Sequence, residues 1–223
     1  MSAYEKQDIE DHYESISPLR NKLLADLSDI IVKSGMPLEG NSFYVHQTMN
    51  LYPELYNKQL NLFWCGTQAE TKVCEIGFNA GHSTMLMLLG RKPSPLTFTI
   101  FDIGHHAYTK PCFNYMRGVF QNVAFEYVEG DSTATMPVWI KDHPESVGVY
   151  DVVHVDGGHT VNCIENDMMN ADLLVKSGGI VIVDDTNADF ISTCADRYVA
   201  SGKYSEIDVL KTVGYEHRIL RKA

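Results

Sequence analysis

Residues 73–84 read VCEIGFNAGHST: a short apolar run broken by an acid, then a glycine-bearing turn and a polar helix start. Glycines just after a first parallel strand let the backbone approach a ligand, and the next helix turns its N-terminal N–H groups toward it. The spacing is Glu75-x-Gly77-x-Asn79-x-Gly81-x-Ser83. A dinucleotide site carries similar glycines, and so does a plain strand–helix turn. Glu75, two residues before the first glycine, separates these readings. Its carboxylate repels a pyrophosphate and attracts a sulfonium or an ammonium. The loop therefore favours S-adenosylmethionine over NAD.

Downstream, short apolar runs recur as TFTIF (97–101), AFEYV (124–128), YDVVHV (150–155) and IVIVD (180–184), each followed by a polar or glycine-bearing loop and a helical stretch. Such alternation predicts an α/β fold, a parallel sheet covered by helices on both faces. The tail breaks the pattern. Tyr204–Lys211 and Tyr215–Leu220, joined by Thr212-Val213-Gly214, predict an antiparallel hairpin. Upstream, Ile16, Leu19, Leu23, Leu24, Leu27, Ile30 and Ile31 lie at helical spacing and predict helix over 1–35, ending near Gly35-Met36-Pro37. A turn-rich stretch from Pro37 to Ser42 follows, and a second helical pattern runs from Pro53 to Thr67.

Composition narrows the function classes. Of the 223 residues, 44% are hydrophobic and 21% charged, as in an ordinary soluble domain with no disordered tract. A net charge of −11 disfavours a long nucleic-acid substrate. No apolar run approaches the roughly 18 residues that span a bilayer, and the charged opening MSAYEKQDIEDHYE lacks a secretory apolar stretch. Five scattered cysteines without a CxxC pair fit free thiols in a reducing cytoplasm.

The second apolar run ends in Asp102, where a carboxylate can accept from both hydroxyls of a ribose. The third leads into Glu129-Gly130-Asp131-Ser132, a loop suited to adenine contacts, with a helix N-cap as the competing role for Asp131. Together, Glu75-x-Gly77-x-x-x-Gly81-x-Ser83, Asp102 and Gly130-Asp131-Ser132 resemble the cofactor motifs of class I S-adenosylmethionine-dependent methyltransferases. Within that class, residues 45–220 resemble the small O-methyltransferases, both catechol-type and metal-dependent sugar enzymes. Asn79 stands where the common motif has its middle glycine. Met49-Asn50 resembles a pair that lines the cofactor pocket in the catechol-type enzymes. No repeat, low-complexity tract or Pro/Gly-rich linker divides the chain, so one domain is expected over 1–223: a helical cap and substrate lid (1–70) and a Rossmann-like core (71–223). That core would carry a seven-stranded, mainly parallel sheet closed by the C-terminal hairpin.

The fourth and fifth runs end in Asp156-Gly157-Gly158-His159 and Asp184-Asp185. Neighbouring parallel strands bring their C-terminal ends to one edge, so Asp156, Asp184 and Asp185 should converge. Uncompensated, three carboxylates repel one another, and Mg²⁺ or Mn²⁺ with its preference for oxygen ligands relieves this. The alternative is that one aspartate meets the cofactor, one caps a helix and no metal enters. The resemblance implies the metal, with Asp156 also facing the cofactor. It further implies a basic residue three positions after the first aspartate, which here is His159. A histidine is suited to take a hydroxyl proton at neutral pH.

His154, inside a strand, reads as packed, and His105-His106 stay unassigned. His46, Tyr44, Tyr52 and Tyr56 form either a substrate lid or a plain amphipathic cap. The resulting expectation is methyl transfer to a hydroxyl of a small molecule or sugar, in a monomer or a homo-oligomer. Two alternatives stay open: a metal-independent enzyme acting on nitrogen or a macromolecule, and a catalytically silent binding subunit.

Overall fold

The computed structural model describes residues 6–39, 42–92 and 94–223. Five strands are parallel: β1 (Lys72–Ile76), β2 (Leu96–Asp102), β3 (Val123–Glu129), β4 (Tyr150–Val155) and β5 (Val175–Val183). Two short strands, β6 (Tyr204–Glu206) and β7 (Arg218–Lys222), complete a seven-stranded sheet in the order β3-β2-β1-β4-β5-β7-β6. β7 runs antiparallel to both of its neighbours.

Successive strand residues face opposite layers, as the period of two requires. Val73, Val152, Ile180, Ile182 and Ile219 enter one apolar cluster; Cys74, Val153, Val181, Val183 and Leu220 enter the other. The first cluster is covered by α2 (Ser17–Ser34), α3 (Tyr56–Thr67), α4 (His82–Gly90) and α5 (Thr109–Val119). The second is covered by α6 (Ser132–Asp142), α7 (Val161–Leu174) and α8 (Asp189–Ala200). Burial on both faces explains why the strand runs read as nearly continuous apolar segments.

The single helix predicted over 1–35 is two, α1 (Lys6–Ser15) and α2, with Ile16 between them and a proline in the first turn of α2. A proline is tolerated there because the first N–H groups of a helix lack partners anyway. Gly35 closes α2 in the left-handed region, φ 72°. Part of the turn expected over 37–42 lies outside the described residues.

The C-terminal hairpin is present but looser than predicted. Its strands stop at Glu206 and begin again at Arg218, so 212–214 is part of a longer excursion rather than a tight turn. The physical cause is α3, whose residues 58–66 are all buried. Asn61 Nδ2 donates to the Leu210 carbonyl (2.7 Å) and Asn61 Oδ1 accepts the Leu210 N–H (3.1 Å). Asn57 Nδ2 adds a bond to the Lys211 carbonyl (2.8 Å). These bonds draw residues 207–217 off the sheet and onto α3. No helix among the described residues is long and apolar enough to cross a membrane.

Candidate active site

A cleft of about 680 Å³ opens at the C-terminal ends of β1, β2, β4 and β5, where the strand order reverses and open α/β sheets bind ligands. Gly77, Asn79, Ser83, Asp102, Gly130, Asp131, Ser132, Asp156, His159, Asp184 and Asp185 all line it. Met49, Glu75 and Gly81 do not.

The glycine loop is held from below. The Gly77 N–H donates to the Phe101 carbonyl (2.8 Å), and Gly77 has φ 90°. A Cβ there would lie 1.8 Å from the Asp156 carbonyl oxygen, so only glycine fits. Asn79 also has positive φ, 51°, which explains how asparagine replaces the middle glycine of the motif. Its side-chain amide donates to the Glu39 carbonyl and ties the loop to the chain after α2. Asp102 accepts three backbone N–H groups, from Phe78 (2.8 Å), Asn79 (2.8 Å) and Gly104 (2.7 Å). It thus shapes the loop as well as lining the cleft. Asp131 caps α6 through Thr133 N–H (2.9 Å) while also facing the cleft.

Three residues expected at the cofactor lie behind the cleft lining. Glu75 lies beneath the loop, fully buried, accepting from Ser83 Oγ (2.6 Å), Thr84 Oγ1 and His154 Nδ1 (2.9 Å). Its role in the protein is to anchor the start of α4, because those partners occupy the carboxylate. Met49 packs against the apolar core. Its turn closes on itself through Val45 N–H to Asn50 carbonyl (2.8 Å) and Thr48 Oγ1 to Val45 carbonyl (2.9 Å), and His46 faces the cleft instead. Gly81 precedes α4 with φ 79° and sits against the Phe78 ring, behind the loop.

The acidic end converges as predicted, but its repulsion is partly relieved within the protein, at Asp184. Lys58 of α3 places Nζ 2.7 Å from Asp184 Oδ2, with both side chains only 4% exposed. His154 lies with Nε2 3.8 Å from the same oxygen and Nδ1 on Glu75. Burial lowers the His154 pKa, but the flanking carboxylates of Asp184 and Glu75 outweigh it and raise it to about 10. For Lys58, burial also opposes the charge, yet Asp184 and Asp156 hold the ammonium above the usual lysine value. Burial alone would raise Asp184, but Lys58 and His154 keep its carboxyl well below the usual range. Asp156 is pushed the other way, by burial and then by Asp184.

Asp185 adopts φ 54° and accepts from His159 Nε2 at 2.6 Å. This hydrogen bond, opposed by partial burial, raises the His159 pKa. Asp156, His159 and Asp185 bring donor atoms within 4.8 Å of one another, as do His154, Asp156 and Asp184. The first set fits a hard divalent cation, having two carboxylates and an imidazole at an open edge. Asp184 fits less well than expected, since its carboxylate is committed to Lys58. Lys58 was missed from sequence: it sits in a helical run, and its partner lies far along the chain. The one signal was a polar pair, Lys58 and Asn61, at helical spacing in a helix that is otherwise largely apolar.

Asp167 of α7 lies under the Gly157-Gly158 turn, 1% exposed, with burial raising its carboxyl to about 6. A carboxyl raised on folding contributes its full stability below the ordinary value of 3.8 and loses it as pH climbs through about 6. Asp167→Asn should therefore stabilise the protein by about 1–3 kcal/mol near pH 8 and by roughly a third of that near pH 4.5. Urea unfolding at the two pH values checks this; equal effects at both would contradict it.

Residues 74–186 match the family described as Methyltransferase domain. No curated protein matches the chain. Among solved structures, an O-methyltransferase from Bacillus cereus in complex with SAH aligns with TM-score 0.61 at 17% identity, covering 89% of each chain. The O-methyltransferase TomG from Streptomyces achromogenes, in complex with SAM, aligns with TM-score 0.59 at 19% identity, covering 90% of this chain and 88% of its own. CalS11, a TDP-rhamnose 3′-O-methyltransferase of calicheamicin biosynthesis, aligns with TM-score 0.55 at 15% identity, covering 74% and 77%. At these identities the likeness is one of fold.

Proposed function

The chain belongs to the methyltransferase-domain family, and from that premise we propose that it methylates a hydroxyl of a small molecule or sugar, using S-adenosylmethionine. The observation that carries this reading is the Asp185–His159 pair at the cleft edge, opposite the glycine loop. Methyl transfer to an alcohol needs a base, because the oxygen must shed its proton as it bonds to carbon. With Nε2 bonded to Asp185, the other ring nitrogen of His159 is left to receive that proton. The O-methyltransferases TomG and CalS11 support oxygen as the acceptor atom, and CalS11 supports a sugar.

The cleft suits the cofactor. Its acidic lining favours a sulfonium, and His82 Nε2, in a side chain 3% exposed on the cleft wall, has no hydrogen-bond partner among the described residues. S-adenosylmethionine supplies a methyl group made electrophilic by its sulfonium. The chain's part is to bind it along Gly77–Ser83, Asp102 and Gly130–Ser132, orient the acceptor, and accept a proton at His159. Glu39, Ser42, His46 and Lys58 reach the cleft from the segment before β1, which supports a lid role for residues 1–70. Asp156 and Asp185 would hold Mg²⁺ or Mn²⁺, which when bound lowers the pKa of a hydroxyl. Free cysteines, four of them buried, support a reducing cytoplasm.

Calorimetry tests the cofactor assignment. S-adenosylhomocysteine should bind and NAD should not; preferential NAD binding would refute the proposal. Asp102→Ala should weaken S-adenosylhomocysteine by about 1.5–3 kcal/mol, the range for hydrogen bonds to a charged group.

A further inference from the structure

We infer that Lys58 is a built-in cation that closes Asp184 to metal, so that any divalent ion in the cleft is confined to Asp156 and Asp185. The inference rests on reading this cleft as the acceptor site, and it changes which aspartates can act there. Both oxygens of Asp184 are already used. Oδ2 meets the Lys58 ammonium at 2.7 Å, and Oδ1 accepts the Asp185 N–H at 2.9 Å. An ion bound to Oδ2 at its usual distance of about 2.1 Å would stand within a few ångströms of that ammonium. Like charges so close in a buried site repel strongly.

Lys58 has no ready way to withdraw. It belongs to the buried run of α3, and the Asn57 and Asn61 bonds pin that helix to residues 207–217. The ring centroid of Tyr215, in the same segment, lies 6.0 Å from Nζ. At the inner end the Lys58 ammonium, 2.7 Å from Oδ2, already answers the Asp184 carboxylate, and His154 turns its Nδ1 to Glu75. The outer set, Asp156 and Asp185 with His159, is left as the place where a cation can enter.

Manganese chloride alone is the probe, with binding read by electron paramagnetic resonance of free Mn²⁺ or by calorimetry. Lys58→Met removes the competing charge and frees Asp184, so Mn²⁺ should bind about tenfold more tightly or better, since ligand charge tunes such sites. Lys58→Arg, which keeps the charge, should bind Mn²⁺ like the unaltered protein. The double variant Lys58→Met/Asp184→Asn, which removes the pair without leaving either charge alone, should bind Mn²⁺ like the unaltered protein, and it decides the matter if Lys58→Met does not fold. Unchanged or weaker binding by Lys58→Met, or a marked loss in the double variant, overturns the inference by making Asp184 a ligand beside an indifferent lysine. S-adenosylhomocysteine binding to the same samples is the separate arm. Its absence would sink the methyl-transfer reading while leaving the Mn²⁺ result to stand on its own.

Discussion

His159→Ala should lower kcat by about 10²–10⁴-fold, the usual contribution of a positioned base, while S-adenosylhomocysteine affinity stays as it was. The split follows from position. His159 is 64% exposed in its side chain at the start of the turn into α7, and its recorded partner is Asp185, not the glycine loop. Asp185 fixes the ring through Nε2, and on the proposed reading the other nitrogen takes the proton of the acceptor. Asp185→Asn should then cost less than His159→Ala, because a neutral amide still orients the ring but no longer favours the protonated form. Added imidazole should partly restore His159→Ala, an effect that a merely structural histidine would not show. Near-full kcat in the alanine variant would remove proton transfer to His159 from the mechanism.

Much of the fold was legible in the sequence, because strands buried on both faces leave continuous apolar runs and the glycine turn marks the first of them. The five parallel strands lie where the runs predicted. The split at Ile16 was readable in principle from Pro18, since proline belongs to a helix's first turn. The excursion over 207–217 was not readable, for it depends on Asn57 and Asn61, about 150 residues away in sequence. The site shows the same division. That Asp156, Asp184 and Asp185 share one edge follows from parallel topology alone. Which way a carboxylate points does not. Glu75 ends beneath the loop because Ser83, Thr84 and His154 claim it. Likewise, converging carboxylates need an ion only where no other charge compensates them, and a lysine on a buried helix supplies part of that compensation.

The largest effect on stability should come from His154, a fully buried strand residue between Glu75 and Asp184. His154→Leu keeps much of the volume but removes the positive charge, leaving two buried carboxylates with less compensation. Breaking one side of a buried ion pair costs about 3–5 kcal/mol, which in a chain of this length is a fall in Tm of roughly 6–20 °C. Glu75→Gln removes the other side and should be costly too, since it also loosens Ser83 and Thr84 at the start of α4. The double variant is the informative one. If the two residues act as a pair, the combined loss falls short of the sum of the single losses by about 0.5–3 kcal/mol. A strictly additive cycle would mean that His154 serves Asp184 rather than Glu75. The cofactor loop and the Lys58–Asp184 pair would then stand as separate structures on either side of β4. A coupled cycle instead makes them one buried polar chain, Ser83–Glu75–His154–Asp184–Lys58. In that case, the floor of the cofactor loop and the wall of the acceptor site hold or fail together.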